Sequence, residues 1–327
     1  MKICFLDRTS FQYNYNDLNT PKLRGAEITL LNLSYAISKM GHDVTIINNC
    51  PKNEILHNIR WININKLNEN YEFDLAISNN DCNFFKLVKS NKKILLSHSL
   101  QNIEKFIRKK QFFSYFKYRP KIALLSKYHN MNRSLLTKIF GHFFLPYGVD
   151  DIFLRSKLVN HNEIDKNQAI FISRPDRNLE LLIEIWKNHI FTKHNQVKLL
   201  VTPNDFGDNK DINIFTRKLG DKKNFIYDLY NSRVCLLPGH KAELFCLAAE
   251  EARELCVPIV TLGIGSLSER VVHGKTGFIA KNKKEFADFT LEIFKNDDLW
   301  AELRSNLNSL RGTKNWKNCA DTLLNNI

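Results

Sequence analysis

No run of about 18 uncharged apolar residues occurs in this sequence, so no helix is expected to span a bilayer. No CxxC pair occurs either. The seven cysteines (Cys4, Cys50, Cys82, Cys235, Cys246, Cys256 and Cys319) are scattered, odd in number and set mostly in apolar runs. That distribution gives no support to a zinc site or a disulfide framework, and it predicts buried, reduced thiols in a cytosolic protein. The opening residues, Met1-Lys2-Ile3-Cys4-Phe5-Leu6-Asp7, lack a cleavage-site pattern and reach charge too early for a signal peptide. They read as a first buried strand. A G-x-G-x-x-G dinucleotide fingerprint is missing, as is any internal repeat of roughly 20 to 50 residues. Acidic residues are scarce in one region only. From Cys82 to Gly148 fourteen lysines and arginines stand against a single acid, Glu104, which accounts for +13 of the chain's net +14. Charge confined in this way implies an anionic partner there, a membrane surface or a nucleic acid.

The 327 residues suffice for two domains of ordinary size, and an apolar fraction of 43% is that of a globular protein. Strand-like and helix-like runs alternate. Residues 2–7, a helix from about Ala26 to Met40 closed by Gly41-His42, and a strand at Asp43–Asn48 form a βαβ unit, which implies a parallel sheet. Further strands are expected at Leu75–Ser78, Ile94–Ser97 and Ile122–Ser126. The alternation restarts after Leu145-Pro146-Tyr147-Gly148-Val149-Asp150. Strands at Ala169–Ser173, Val197–Val201 and Val234–Leu237 then alternate with helices at Leu179–His189 and Lys222–Asn231. The expected organisation is α/β: an N-terminal Rossmann-like domain over 1–148, a second over 149–305, and a helical tail over 306–327 able to cross back to the first. Ligands of such folds bind at the carboxyl ends of the strands, here expected in a cleft between the domains.

Four stretches break local rules, each at an expected strand-to-helix turn. Leu23-Arg24-Gly25-Ala26-Glu27 places a glycine at a helix N-terminus, where backbone N–H groups can meet an anion; an ordinary glycine turn would look the same. Ser173-Arg174-Pro175-Asp176-Arg177-Asn178 puts two arginines three apart beyond a strand, suited to clamp a diphosphate or simply solvated. In "AELFCLAAEEARELCVPIV", residues 242 to 260, Glu251 lies on the apolar stripe of an amphipathic helix, between Leu247 and Leu255. A carboxylate there needs a partner. A ligand hydroxyl pair, a buried base, or a structural partner such as Arg270 or a backbone N–H would serve. Glu250, Arg253 and Glu254 read as a solvated polar face. Finally, Gly263-Ile264-Gly265-Ser266-Leu267-Ser268-Glu269-Arg270 offers backbone donors near a helix start, and His273–Phe278 reads as a turn and short hairpin.

Taken in order, these stretches resemble the family-four retaining glycosyltransferases, which have the GT-B fold. Glu243-Leu-Phe-Cys-Leu-Ala-Ala-Glu250-Glu251-Ala resembles their EX7E segment, and Val257-Pro258-Ile259-Val260 their G-x-P-V-V strand. Gly265-Ser266-Leu267-Ser268-Glu269 is similar to G-G-x-x-E, Gly274-Lys-Thr-Gly277-Phe to G-x-T-G-F, and Tyr147-Gly148-Val149-Asp150 to N-G-V-D. Gly25-Ala26-Glu27 with Gly41-His42-Asp43-Val44 completes the set, which runs over most of the chain. The resemblance implies that Glu243 holds the donor sugar's hydroxyls and Glu251 the ribose hydroxyls. Arg174 and, at a shorter spacing than the family's, Arg177 take the donor phosphates. Gly265 and Ser266 give backbone N–H bonds to the donor, and Gly25 faces its phosphates. Leu219 joins the nucleotide-binding residues, and His98 takes the place of a histidine near the reacting sugar. Arg24, Cys246, Ser266 and Asn178 stand where the family pattern has glycine.

A retaining, metal-independent hexosyltransferase is implied, with a nucleotide-sugar co-substrate and no cofactor; the chain has no DxD motif. Stabilising the nucleotide-diphosphate leaving group is the main task, and closing of the domains would exclude water. The N-terminal domain of such enzymes binds the acceptor, and here it holds the basic segment. Residues 105–121 interleave seven lysines and arginines with six aromatics, a pattern suited to an anionic membrane surface. The expected function is transfer of a hexose or hexuronic acid, UDP-linked, to a membrane lipid such as diacylglycerol or a lipid-linked saccharide. The enzyme would lie on the inner face of the cell membrane through residues 82–148. The alternatives are a soluble-acceptor or lipopolysaccharide glycosyltransferase, and a basic nucleic-acid-binding protein. The last leaves the EX7E stretch and Arg174 unexplained.

Overall fold

Short apolar runs, buried on both faces, build the first sheet. In β1 (Lys2–Leu6) every residue from Ile3 to Leu6 is fully buried, without the in–out alternation of a half-exposed strand. The computed structural model describes residues 1–18, 20, 22–67, 71–157, 164–204, 206–218 and 220–327. They divide into two compact units, Met1–Gly148 with Trp316–Ile327, and Val149–Asn315.

In the first unit β1 leads to helix α1 (Gly25–Lys39) and strand β2 (Asp43–Asn48). The Glu27 carboxylate accepts the Arg24 N–H (3.0 Å) and closes the helix start. Gly41, at φ +84°, ends it in the left-handed conformation that glycine adopts without strain. Then come β3 (Glu54–Leu56), β4 (Ile59–Asn63), β5 (Glu72–Asn79), β6 (Lys89–Leu96), α2 (Ile103–Arg108), α3 (Phe112–Tyr118), β7 (Lys121–Leu124), α4 (Lys127–Met131) and β8 (His142–Phe144). The strand order is β3-β4-β2-β1-β5-β6-β7-β8, parallel except for the β3–β4 pair. Phe5 of β1 lies opposite Ile46 on one side and Ile77 on the other. The chain therefore grows outward from β1 in one direction, then restarts at β5 on its other side, and β1 is the switch point of the sheet.

The second unit runs α5 (Asp151–Arg155), β9 (Asp165–Phe171), α6 (Leu179–Ile185), β10 (Lys198–Val201), β11 (Ile214–Thr216), α7 (Lys222–Tyr230), β12 (Ser232–Leu236), α8 (Leu247–Glu254), β13 (Ile259–Thr261), β14 (Gly277–Ile279), α9 (Lys283–Lys295) and α10 (Asp297–Asn308). Its sheet has the order β11-β10-β9-β12-β13-β14 and is parallel throughout. The hairpin expected around residues 274–278 is therefore absent: β14 pairs with β13 in parallel. Gly277 is required there, because a Cβ at that position would lie 2.1 Å from the Ile259 carbonyl oxygen. A last helix, α11 (Trp316–Leu324), returns to the first unit and packs on α1. All seven cysteines are free and buried, as their apolar settings imply.

Candidate active site

The turn that leaves β9 carries the two arginines of the second unit. Asn178 closes it at φ +64°, and its side-chain amide donates to the Gly239 carbonyl, pinning the turn to the chain beyond β12. Arg174 is exposed and reaches Asp176 at 2.8 Å; Arg177 reaches the same carboxylate oxygen at 2.9 Å and is largely covered. One acid thus holds both guanidinium groups together, and they form a single positive centre beside Glu243. The charges of Arg177 and Arg174 pull the Glu243 carboxyl down, as does a hydrogen bond from the Cys246 thiol, while burial, the largest effect, raises it.

Glu243 and the loop at residues 263–270 are built against each other. The Ser266 N–H donates to the Glu243 carbonyl oxygen at 3.0 Å, and Glu243 N–H donates to His240 O at 2.9 Å. Gly265, at φ +75°, packs so closely that a Cβ would meet the His240 oxygen at 2.4 Å. Of the backbone donors expected at Gly265 and Ser266, the Ser266 N–H is thus used inside the loop, whereas the fully buried Ser266 Oγ has no hydrogen-bond partner among the described residues. Cys246, at φ +61°, starts α8. The helix is shorter than the apolar pattern of 242–255 suggests, because this left-handed residue detaches Glu243 from it.

On α8, adjacent glutamates part ways. Glu250 is buried and paired with Arg253 (2.7 Å) and Arg270 (3.0 Å), and Arg270 lies over the Phe245 ring. Arg253 also holds the fully buried Glu254, whose other oxygen accepts the Gly312 N–H. The expectation of a solvated face at Glu250, Arg253 and Glu254 is overturned. Arg270, on a distant loop, supplies a cation that the helical pattern alone does not reveal, and it serves Glu250 rather than Glu251. Glu251 is half-buried and makes no side-chain hydrogen bond or ion pair among the described residues. Burial, then the charge of Asp150, pushes its carboxyl up to about 8, with Lys222 opposing. Lys222 is held 2.6 Å from Asp150, which caps α5. Asp150 and Lys222 are the site neighbours that sequence reasoning missed: Asp150 stands in the quoted linker motif, and nothing in the pattern joins it to α8. Leu219 lies outside the described residues.

In the first unit, Gly25 is the exposed first residue of α1 and has open space around it. His98 follows β6. Its backbone N–H donates to Asn80 Oδ1 (2.8 Å), its Nδ1 lies 3.0 Å from the Tyr147 hydroxyl, and its buried Nε2 has no partner among the described residues. Burial drives the ring down to about 3, so it is neutral near pH 7. His129, bonded to Gln101 at 2.8 Å, is likewise driven down to about 4. A further carboxylate, Asp7, sits buried at the end of β1, accepts from Tyr13 and from Asn79 (3.0 Å), and is raised by burial.

The basic segment departs from its expected form. Of the six aromatics between residues 105 and 121, Phe106 and Tyr115 are buried, and the Phe112 and Phe116 rings pack against one another at a tilt of 52°. Phe113 alone is exposed, at 85%. Apolar surface comes instead from Ile107, Phe113, Met131, Leu135 and Ile139. Among the described residues no helix is long and apolar enough to cross a membrane, and no group of three or more His, Cys, Asp or Glu is placed to hold a metal ion.

Residues 156–309 match the family model described as "Glycosyl transferases group 1". No curated protein matches the chain. Among solved structures, it is similar to sucrose-phosphate synthase from Thermosynechococcus elongatus (14% identity, 99% of this chain and 97% of that one, TM-score 0.73). It is also similar to Anabaena HepE in complex with UDP and glucose (13%, 100% and 99%, TM-score 0.68). A third likeness is to WaaG, a glycosyltransferase involved in lipopolysaccharide biosynthesis (12%, 99% and 99%, TM-score 0.67). These likenesses establish the fold, two Rossmann-like α/β domains as in GT-B glycosyltransferase structures.

Proposed function

We propose that the group 1 glycosyltransferase domain at residues 156–309 makes this chain a retaining glycosyltransferase acting on a membrane lipid. It would move a hexose or hexuronic acid from a UDP-linked donor. The observation that carries this reading is the grouping of Glu243 with Arg174 and Arg177, with Glu251 left unpaired on the adjoining helix. Each feature fits one part of a nucleotide sugar. The arginines meet the diphosphate, Glu243 the sugar hydroxyls, and Glu251 the ribose diol, whose two donors replace the partners it lacks.

In this mechanism the bond from the anomeric carbon to the phosphate oxygen breaks and a bond to the acceptor oxygen forms on the same face. The acceptor's proton passes to the departing phosphate. Arg174 and Arg177 stabilise the charge that develops there, with no metal ion in the reaction. A neutral His98 would offer hydrogen bonds near the sugar without adding positive charge beside an oxocarbenium-like state. The membrane assignment rests on exposed Ile107, Phe113, Met131 and Leu135 within a segment of net charge +13, suited to the cytoplasmic face of an anionic bilayer.

A panel of nucleotide sugars, read by released UDP or GDP, tests the donor, and the anomeric configuration of the product tests retention. Release from no donor would remove the reading. Flotation with anionic and neutral liposomes tests the acceptor side. Failure to float on either, with full activity on a water-soluble acceptor, would favour the soluble-acceptor alternative.

A further inference from the structure

A cavity of about 500 Å³ opens in the first unit at the carboxyl ends of β1, β4 and β5, beside the switch point of the sheet. Arg8 enters it directly beyond β1, Lys86 from the turn after β5, and Lys110 from the corner between α2 and α3. Lys110 is placed by its neighbour. The buried Gln111 side chain donates to Asn80 O (3.2 Å) and accepts the Cys82 N–H (3.2 Å), which staples the α2–α3 corner to the end of β5. Lys110 itself sits at φ +54°. Among the described residues none of Arg8, Lys86 and Lys110 forms an ion pair. The only acid in the lining, Asp81, is engaged in capping the Asn83 N–H at 2.8 Å. Phe84 adds an apolar wall. Three unpaired cations around a space of ligand size favour a compact group of more than one negative charge. Arginine's planar fork suits phosphate oxygens.

We propose that this cavity binds a phosphate-bearing group on the acceptor, held by Arg8, Lys86 and Lys110. The proposal deepens the glycosyltransferase reading and rests on it for the acceptor role. It excludes a neutral acceptor such as diacylglycerol in favour of one with a phosphate or diphosphate next to the accepting sugar or alcohol. A lipid headgroup and a soluble phosphate ester share that chemistry.

Calorimetric titration of pyrophosphate into the full chain, with UDP at saturation to occupy the arginines of the second unit, tests the site. Binding is expected, and the variant R8Q/K86Q/K110Q is expected to weaken it at least about tenfold, the loss of charge-assisted contacts. All three positions are exposed, so the fold should survive; single variants at Lys86 and Lys110 decide the matter if the triple variant does not fold. No binding, or equal affinity in wild type and variants, overturns the proposal. UDP affinity is measured on the same samples. A chain that ignores UDP removes the donor reading, while comparison with the charge-removed variants still decides the cavity. Displacement of pyrophosphate by glycerol 3-phosphate but not by phosphatidic acid–phosphatidylcholine vesicles assigns a soluble phosphate, and the reverse assigns a lipid. Displacement by neither also overturns the proposal.

Discussion

The two sheets end differently at their carboxyl edges. In the second unit charges of both signs converge: Arg174 and Arg177 share Asp176, and Glu243 lies in their field. In the first unit burial removes charge from His98 and His129, while the cations around the strand-end cavity form no ion pair among the described residues. One edge brings its own counter-ions and can be rearranged by a ligand; the other leaves positive charge open and keeps its buried rings neutral.

The sharpest way to break this contrast is Arg174→Ala, which removes half of the shared positive centre. Turnover is expected to fall about a hundredfold or more, as for other lost contacts to a developing anion. Initial rates at saturating donor give the answer, and activity within a fewfold of wild type would take Arg174 out of the site.

Next in size is Glu251→Gln. Above about pH 8, where the Glu251 carboxyl is ionised, donor affinity is expected to fall about tenfold or more, since a charged hydrogen bond is worth roughly 1.5–3 kcal/mol. Titration of UDP measures it. A variant that melts early yet binds UDP normally would make Glu251 structural.

A pH series sharpens the comparison further. The Glu251 carboxyl keeps its proton in the folded chain up to about 8, whereas the unfolded chain releases it in the ordinary carboxylate range. The folded state thus holds more protons in that window, and stability falls as pH rises through it. His98 and His129 act in the opposite sense. Unfolded, they take up protons near the ordinary imidazole value; folded, they do not until about 3 and about 4, so stability falls as pH is lowered through that window. Protection from hydrogen exchange should weaken in the second unit toward alkaline pH and in the first toward acid. Glu251→Gln should abolish only the alkaline change. Smallest of all, Phe113→Ser should reduce liposome flotation a fewfold while leaving the melting temperature unchanged, because the ring is 85% exposed.

The α/β alternation was legible because parallel strands buried on both faces leave continuous apolar runs, as at Lys2–Leu6 and Asp43–Asn48. The strands at Glu54–Leu56 and Ile59–Asn63 were not, for they are short and embedded in polar sequence. Glu251 stood out as a carboxylate on an apolar stripe. Glu250 did not, because its partners come from one turn along the helix and from Arg270, twenty residues away in sequence. Aromatics between basic residues read as exposed membrane anchors, yet most pack inward. Periodicity over two short helices, α2 and α3, is too brief to separate a buried face from a wet one.

The return of the chain to the first unit has a consequence for its birth on the ribosome. Trp316 stacks on Tyr147, 6.0 Å between ring centres, and Tyr147 in turn holds His98. The residues that finish this corner are made only after all of 149–315 have emerged. The earliest part of the polypeptide must therefore wait, with the side that α11 covers open, until residues 316–327 have emerged. Chaperones that shield nascent chains should find their binding sites along α1, the surface α11 eventually covers.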